Sequence, residues 1–156
     1  MTKLIFAAAC LFIFASCNTK TEDVSVKQIS NPIVGTWKLQ HATLIEKGDT
    51  TDTDYTKDRS FIKIINDTHF AFLHHDLTKG KDSATAVFSS GGGTYTLKDS
   101  TYTENLEYCT VREWEGHDFT FTLSFNQDTL IQQGREKIES EGIDRLNIER
   151  YIRVKK

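Results

Sequence analysis

From residue 33 onward, apolar and polar residues alternate in short runs separated by turn-forming residues. The plainest run is "HDFTFTLSFN" at 117–126. Phe119, Phe121, Leu123 and Phe125 fall in one phase, and Thr120, Thr122 and Ser124 in the other. Successive side chains of a strand point to opposite faces, so this segment predicts a strand with an apolar inside and a wettable outside. Phe70 and Phe72 repeat the pattern in "THFAFLHH". Tyr102, Leu106 and Tyr108 do so in "STYTENLEYCTV", with Glu104 between them. In the last run Leu146, Ile148, Ile152 and Val154 share a phase, and Arg150 interrupts it. Eight strands follow, over 35–46, 59–66, 68–76, 94–99, 101–112, 117–126, 128–138 and 145–155, with tight turns at 66–68, 98–101 and 126–129. No stretch carries a long helical period, which argues against alternating strand–helix units.

Hairpins that each own one apolar face can bury it in a sandwich or by closing on themselves. Closure also removes the edges that invite aggregation. The expected fold is therefore all-β: an eight-stranded up-and-down antiparallel barrel. At eight strands the interior either fills with side chains or holds one small ligand.

The head of the chain reads differently. Lys3 precedes an apolar run, "LIFAAACLFIFA", which is too short for the roughly 20 apolar residues of a membrane-spanning helix and suits a signal peptide. Cys17, directly after Ala15 and Ser16, resembles the acylated cysteine of a bacterial lipobox. That resemblance implies a signal peptide over 1–16, a lipidated N-terminus with a polar tether over 17–32, and a domain over 33–156. Two or more acyl chains suffice for stable anchoring, which makes a lipid bilayer the first expected partner. Asn18, where aspartate would resemble an inner-membrane retention signal, favours the outer membrane. Removing residues 1–16 takes only Lys3 from the charged residues and shifts the formal net charge from −3 to −4. No basic footprint for nucleic acid exists. Cys109 is left without an internal disulfide partner and is read as a small hydrophobe within a strand.

"GTW" at 35–37, at the head of the first strand, and "ERYIRVKK" near the C-terminus together resemble the lipocalin-like (calycin) barrels. More closely, "IVGTWKL", "THFAF", "GGGTYTL", "YTENLEYC" and "ERYIRV" resemble a group of bacterial lipocalin-like lipoproteins of unassigned function. The resemblance implies that Trp37 packs across the barrel floor beneath an arginine of the last strand, either Arg150 or Arg153. Gly35 would let the backbone bend there.

Candidate chemistry is sparse. His69, His74 and His75 lie in one strand and read as surface or rim residues, since a metal site needs three or four converging ligands. "SSGGGT" at 89–94 lacks the Lys-Ser/Thr of a phosphate loop and reads as a bulge or rim before a strand. Ser89 and Ser90 lack the setting of a hydrolase nucleophile, and Trp114 sits in a charged turn where exposure is expected. Glu104 falls on an apolar face and so needs a partner. Arg150 is the natural one, in a pair that either holds the fold or orients a ligand's head group. By parity Glu107 points outward, leaving no second inward acid for a two-carboxylate hydrolase.

The function expected is binding of a small, largely hydrophobic molecule inside the barrel, with Phe70, Phe72, Tyr102, Glu104, Tyr108, Phe119 and Phe121 on its walls. No cofactor, metal or catalytic residue is expected. The rival is a solidly packed interaction module that docks a protein or glycan. An open mouth leading to a pocket of about 300–1,000 Å³ favours ligand binding, and a filled interior favours the module.

Overall fold

Alternating parity and turn residues carry the chain through nine strands: β1 (Gly35–Glu46), β2 (Asp49–Asp54), β3 (Arg59–Ile65), β4 (His69–Asp76), β5 (Phe88–Lys98), β6 (Thr101–Cys109), β7 (His117–Asn126), β8 (Thr129–Ile138) and β9 (Ile143–Arg153). The computed structural model describes residues 31–155. The proposed signal peptide, Cys17 and all but the last two residues of the 17–32 tether lie outside them.

Each strand pairs antiparallel with its neighbour, and β1 also pairs with β9, which closes the ring. β2 and β3 lie end to end along β1: β2 covers His41 to Glu46, and β3 covers Gly35 to Lys38. They act as one stave. The molecule is a closed eight-stranded up-and-down barrel, as the alternation predicted. β2 itself is absent from the sequence reading because "DTTDTD" has no apolar phase. Its residues lie at the rim and are almost all exposed.

β5 begins at Phe88 rather than at residue 94, so the glycine run lies within the strand instead of before it. A bulge does occur there, between the Gly92 and Gly93 pairings with β6. Glycine is required at 93, because a Cβ there would sit 2.0 Å from the Asn105 carbonyl oxygen. The bulge places Glu107 opposite no residue of β5. One extra residue flips the faces of everything beyond it. Tyr108 consequently points outward and is 69% exposed, while Cys109 turns inward. The expectation of Tyr108 on the interior wall is therefore overturned. A second bulge, at Gln40 against β9, keeps Leu39 inward and brings Ala42 and Leu44 inward above it.

The barrel has two unlike ends. At the floor, Ile33, Trp37, Leu39, Leu123, Leu130, Tyr102 and Tyr151 form a tightly buried core. Trp37 donates its indole N–H to the Ile33 carbonyl at 2.7 Å. The Arg153 guanidinium lies 4.0 Å from the centroid of the Trp37 ring and donates to the carbonyls of Val34 and Pro32. Of the two arginines, Arg153 covers the tryptophan. Arg150 is exposed on the outer face beside His41. Gly35, with φ of 147°, permits this closure, since a Cβ there would meet Arg153 Nη1 at 2.5 Å. The opposite end carries the connections at 47–48, 77–87, 110–116 and 139–142. The chain thus enters at the closed floor, and the barrel opens away from it.

The last strand is the clearest reversal of phase. Its inward row is Arg145, Asn147, Glu149, Tyr151 and Arg153, whereas Leu146, Ile148, Ile152 and Val154 face out. Leu146 lies directly across from Ile45, which shields part of that outer row.

Candidate functional site

Above the floor, the side chains stop filling the barrel. A cavity of about 210 Å³ opens toward the loop end. Its apolar side comes from Leu44 on β1, Phe61 and Phe72 on β3 and β4, Leu106 on β6, and Phe119 and Phe121 on β7. Phe61 and Phe72 stack with ring centroids 5.7 Å apart. Trp114 and Tyr55 stand at the rim. Trp114 packs on Phe119 at 5.5 Å and receives the Arg145 guanidinium over its ring at 5.0 Å. The charged turn therefore does not leave Trp114 exposed: it folds the indole back over the barrel mouth, half-buried.

Of the seven expected wall residues, Phe72, Glu104, Phe119 and Phe121 line this cavity. Phe70 and Tyr102 point inward but lie in the packed core below it. Tyr108 is outside. Cys109 borders the cavity with its thiol pushed up by burial, which keeps it protonated at neutral pH. Among the histidines, His69 and His75 are exposed, whereas His74 packs between Tyr55 and Phe61 near the mouth. Burial, and then the charge of Arg59, hold its pKa below the ordinary value, so the ring stays neutral at pH 7. Among the described residues no three His, Cys, Asp or Glu side chains come together as a metal would require.

The polar side of the cavity was mostly missed. Glu104 does point inward, but its partner is Lys63, not Arg150: Lys63 Nζ donates to Glu104 Oε1 at 2.7 Å and to Gln132 Oε1 at 3.0 Å. Lys63 sits in "RSFIKII", where both phases are apolar, so parity alone gives no direction. Its ammonium also lies 5.5 Å from the Tyr151 ring centroid. Burial pulls the Lys63 pKa down, but the carboxylates of Glu104, Glu149 and Glu136 outweigh it and hold the side chain charged.

Two further acids face inward. Arg145 Nε donates to Glu136 Oε2 at 2.7 Å, and Asn147 Nδ2 donates to Glu136 Oε1 at 2.8 Å. Among the described residues Glu149 accepts only from the Tyr151 hydroxyl, at 2.8 Å. The absence of a second inward acid, expected from the parity of Glu107, does not hold. A sequence signal for Gln132 and Glu136 existed, because they share the phase of Leu130 and Ile138 at the two ends of β8.

Glu149 lies deep in the barrel yet keeps accessible surface, because it faces the cavity rather than another side chain. Desolvation raises its pKa above the ordinary carboxylate value against the opposing charge of Lys63, and Glu136 and Glu104 add to the rise. A raised carboxyl pKa favours folding below the unfolded-state value, and that advantage is lost as pH climbs through the folded-state value. Thermal melts of Glu149→Gln are therefore expected to be as stable as the wild type at mildly acid pH and a few degrees more stable at neutral pH. A Glu149→Gln protein less stable than the wild type at neutral pH contradicts this placement.

Fold and site together define the class: a closed, all-antiparallel eight-stranded barrel with a one-ended internal cavity lined by both apolar and ionic side chains. No model of a known protein family matches the chain, and no curated protein matches it either.

Proposed function

We propose that this protein is a lipid-anchored, extracytoplasmic binding barrel of lipocalin-like kind, which holds a small, largely apolar molecule in its upper half. The observation that carries the reading is the cavity itself. The floor is packed to the centre, while the space above it is not filled by side chains, opens at one end and is walled by four phenylalanines. Apolar walls with a few convergent polar groups are the usual makeup of small-molecule sites. At about 210 Å³ the space falls below the roughly 300–1,000 Å³ of drug-sized pockets, so it suits a compact molecule better than a long-chain lipid. The Trp37–Arg153 floor supports the likeness to lipocalin-like barrels.

The anchor belongs to the same proposal. Because the chain enters at the closed floor, an acylated Cys17 holds the barrel by that end and leaves the mouth directed away from the bilayer. Cys17→Ala is expected to move the protein from the membrane fraction to the soluble fraction with its β-sheet circular dichroism intact. Retention in the membrane fraction contradicts the anchor.

The binding test is a titration with an apolar fluorescent probe, for which one saturable site is expected. Ala42→Leu, which grows a side chain into the cavity from β1, should weaken that site by about tenfold or more, equivalent to about 1.4 kcal/mol, while the melting temperature holds. An absence of saturable binding replaces the carrier with the packed interaction module.

A further inference from the structure

The cavity's ionic side is unbalanced. Glu104, Glu136 and Glu149 face it, against Lys63 and Arg145. Lys63 is engaged with Glu104 at 2.7 Å, and Arg145 with Glu136 at 2.7 Å. Among the described residues Glu149 has no cationic partner within bonding distance, and one phenol is its sole hydrogen-bond donor.

Asn147, two residues before Glu149 on the same strand and in the same inward row, donates its amide N–H to Glu136, so it supplies Glu149 with no donor.

We infer that the ligand carries an ammonium group on a compact aromatic or aliphatic body, with the ammonium donating to Glu149 and the body lying against Phe61, Phe72, Phe119 and Phe121. This inference rests on the reading of the cavity as a ligand site. An ammonium offers three donors and no acceptor, which matches a carboxylate short of donors and an excess negative charge. A carboxylate-headed ligand brings the opposite sign to a cluster already rich in carboxylates. Aromatic faces beside the cation add attraction of their own.

The experiment is calorimetric titration of the purified protein at neutral pH with three molecules of nearly equal shape: phenethylamine, phenethyl alcohol and phenylacetate. The amine is expected to bind at least about tenfold more tightly than the alcohol, the range for a charge-assisted contact, and phenylacetate most weakly of all. Glu149→Gln should bring the amine down to the level of the alcohol and leave the alcohol unchanged. Alcohol or carboxylate binding as tightly as the amine overturns the ammonium, as does an amine affinity that Glu149→Gln does not alter. If the apolar fluorescent probe still binds in that case, the carrier reading survives. Failure of the probe and of all three molecules overturns both.

Discussion

Replacing Lys63 with methionine is expected to destabilise the barrel by about 3–5 kcal/mol, the cost of leaving a buried carboxylate without its counter-charge. The Lys63 and Glu104 side chains are 4% and 8% exposed and meet at 2.7 Å. Methionine matches the stem of lysine but offers no donor, so the Glu104 carboxylate and the Gln132 carbonyl both lose their hydrogen bond. Against a typical total stability of about 5–15 kcal/mol, the loss is a large fraction of the whole. Adding Glu104→Leu to Lys63→Met should recover most of it, because removing both members of a buried pair costs far less than removing one. Urea denaturation of the two single variants and the double variant isolates the coupling between them. Additive losses would mean that the two groups do not depend on each other.

Trp37→Ala is expected to cost a similar amount, about 3–5 kcal/mol, as the cavity left by a wholly buried aromatic is not refilled. The indole closes the floor, ties to Ile33 through its N–H, and supports Arg153, which in turn holds the carbonyls of Pro32 and Val34. Trp114→Ala should cost less, about 1–2 kcal/mol, for one aromatic contact and one cation–π contact at a half-buried rim. Denaturant melts of both variants check the order. A larger loss at Trp114 than at Trp37 would reverse the assignment of floor and mouth.

The overall barrel was legible because the period of two is strong where one phase is plainly apolar. Phe119, Phe121 and Leu123 are buried with Thr120, Thr122 and Ser124 exposed between them, as their alternation predicts. Legibility failed for three physical reasons. Bulges at Gln40 and Glu107 reset the phase within a strand, and that is why Tyr108 and Cys109 exchange faces. The interior is itself ionic, so the rule that the apolar row faces in misdirected β9, where Arg145, Asn147 and Glu149 face the cavity and Leu146 and Ile148 do not. Finally, the partner of Glu104 comes from a strand forty-one residues away, apolar in both phases, a pairing that no local pattern encodes.

These failures concentrate where function is proposed. Among the described residues Glu104 and Glu136 are paired with cations and Glu149 is not, and a carboxylate with a raised pKa works against folding at neutral pH. Local conflicts of this kind are the places where a fold gives up stability for a site.

Whether the upper half of the barrel interior is a ligand site can be read by nuclear magnetic resonance of the isotope-labelled protein during a phenethylamine titration. Shifts are expected to be confined to cavity-lining residues such as Leu44, Leu106, Phe119, Asn147 and Glu149, with Trp37, Tyr102 and Leu130 of the floor unmoved. Shifts gathered instead on the outer face around Gly91, Gly92 and the exposed Tyr108, with the cavity residues silent, would contradict a ligand site in the interior.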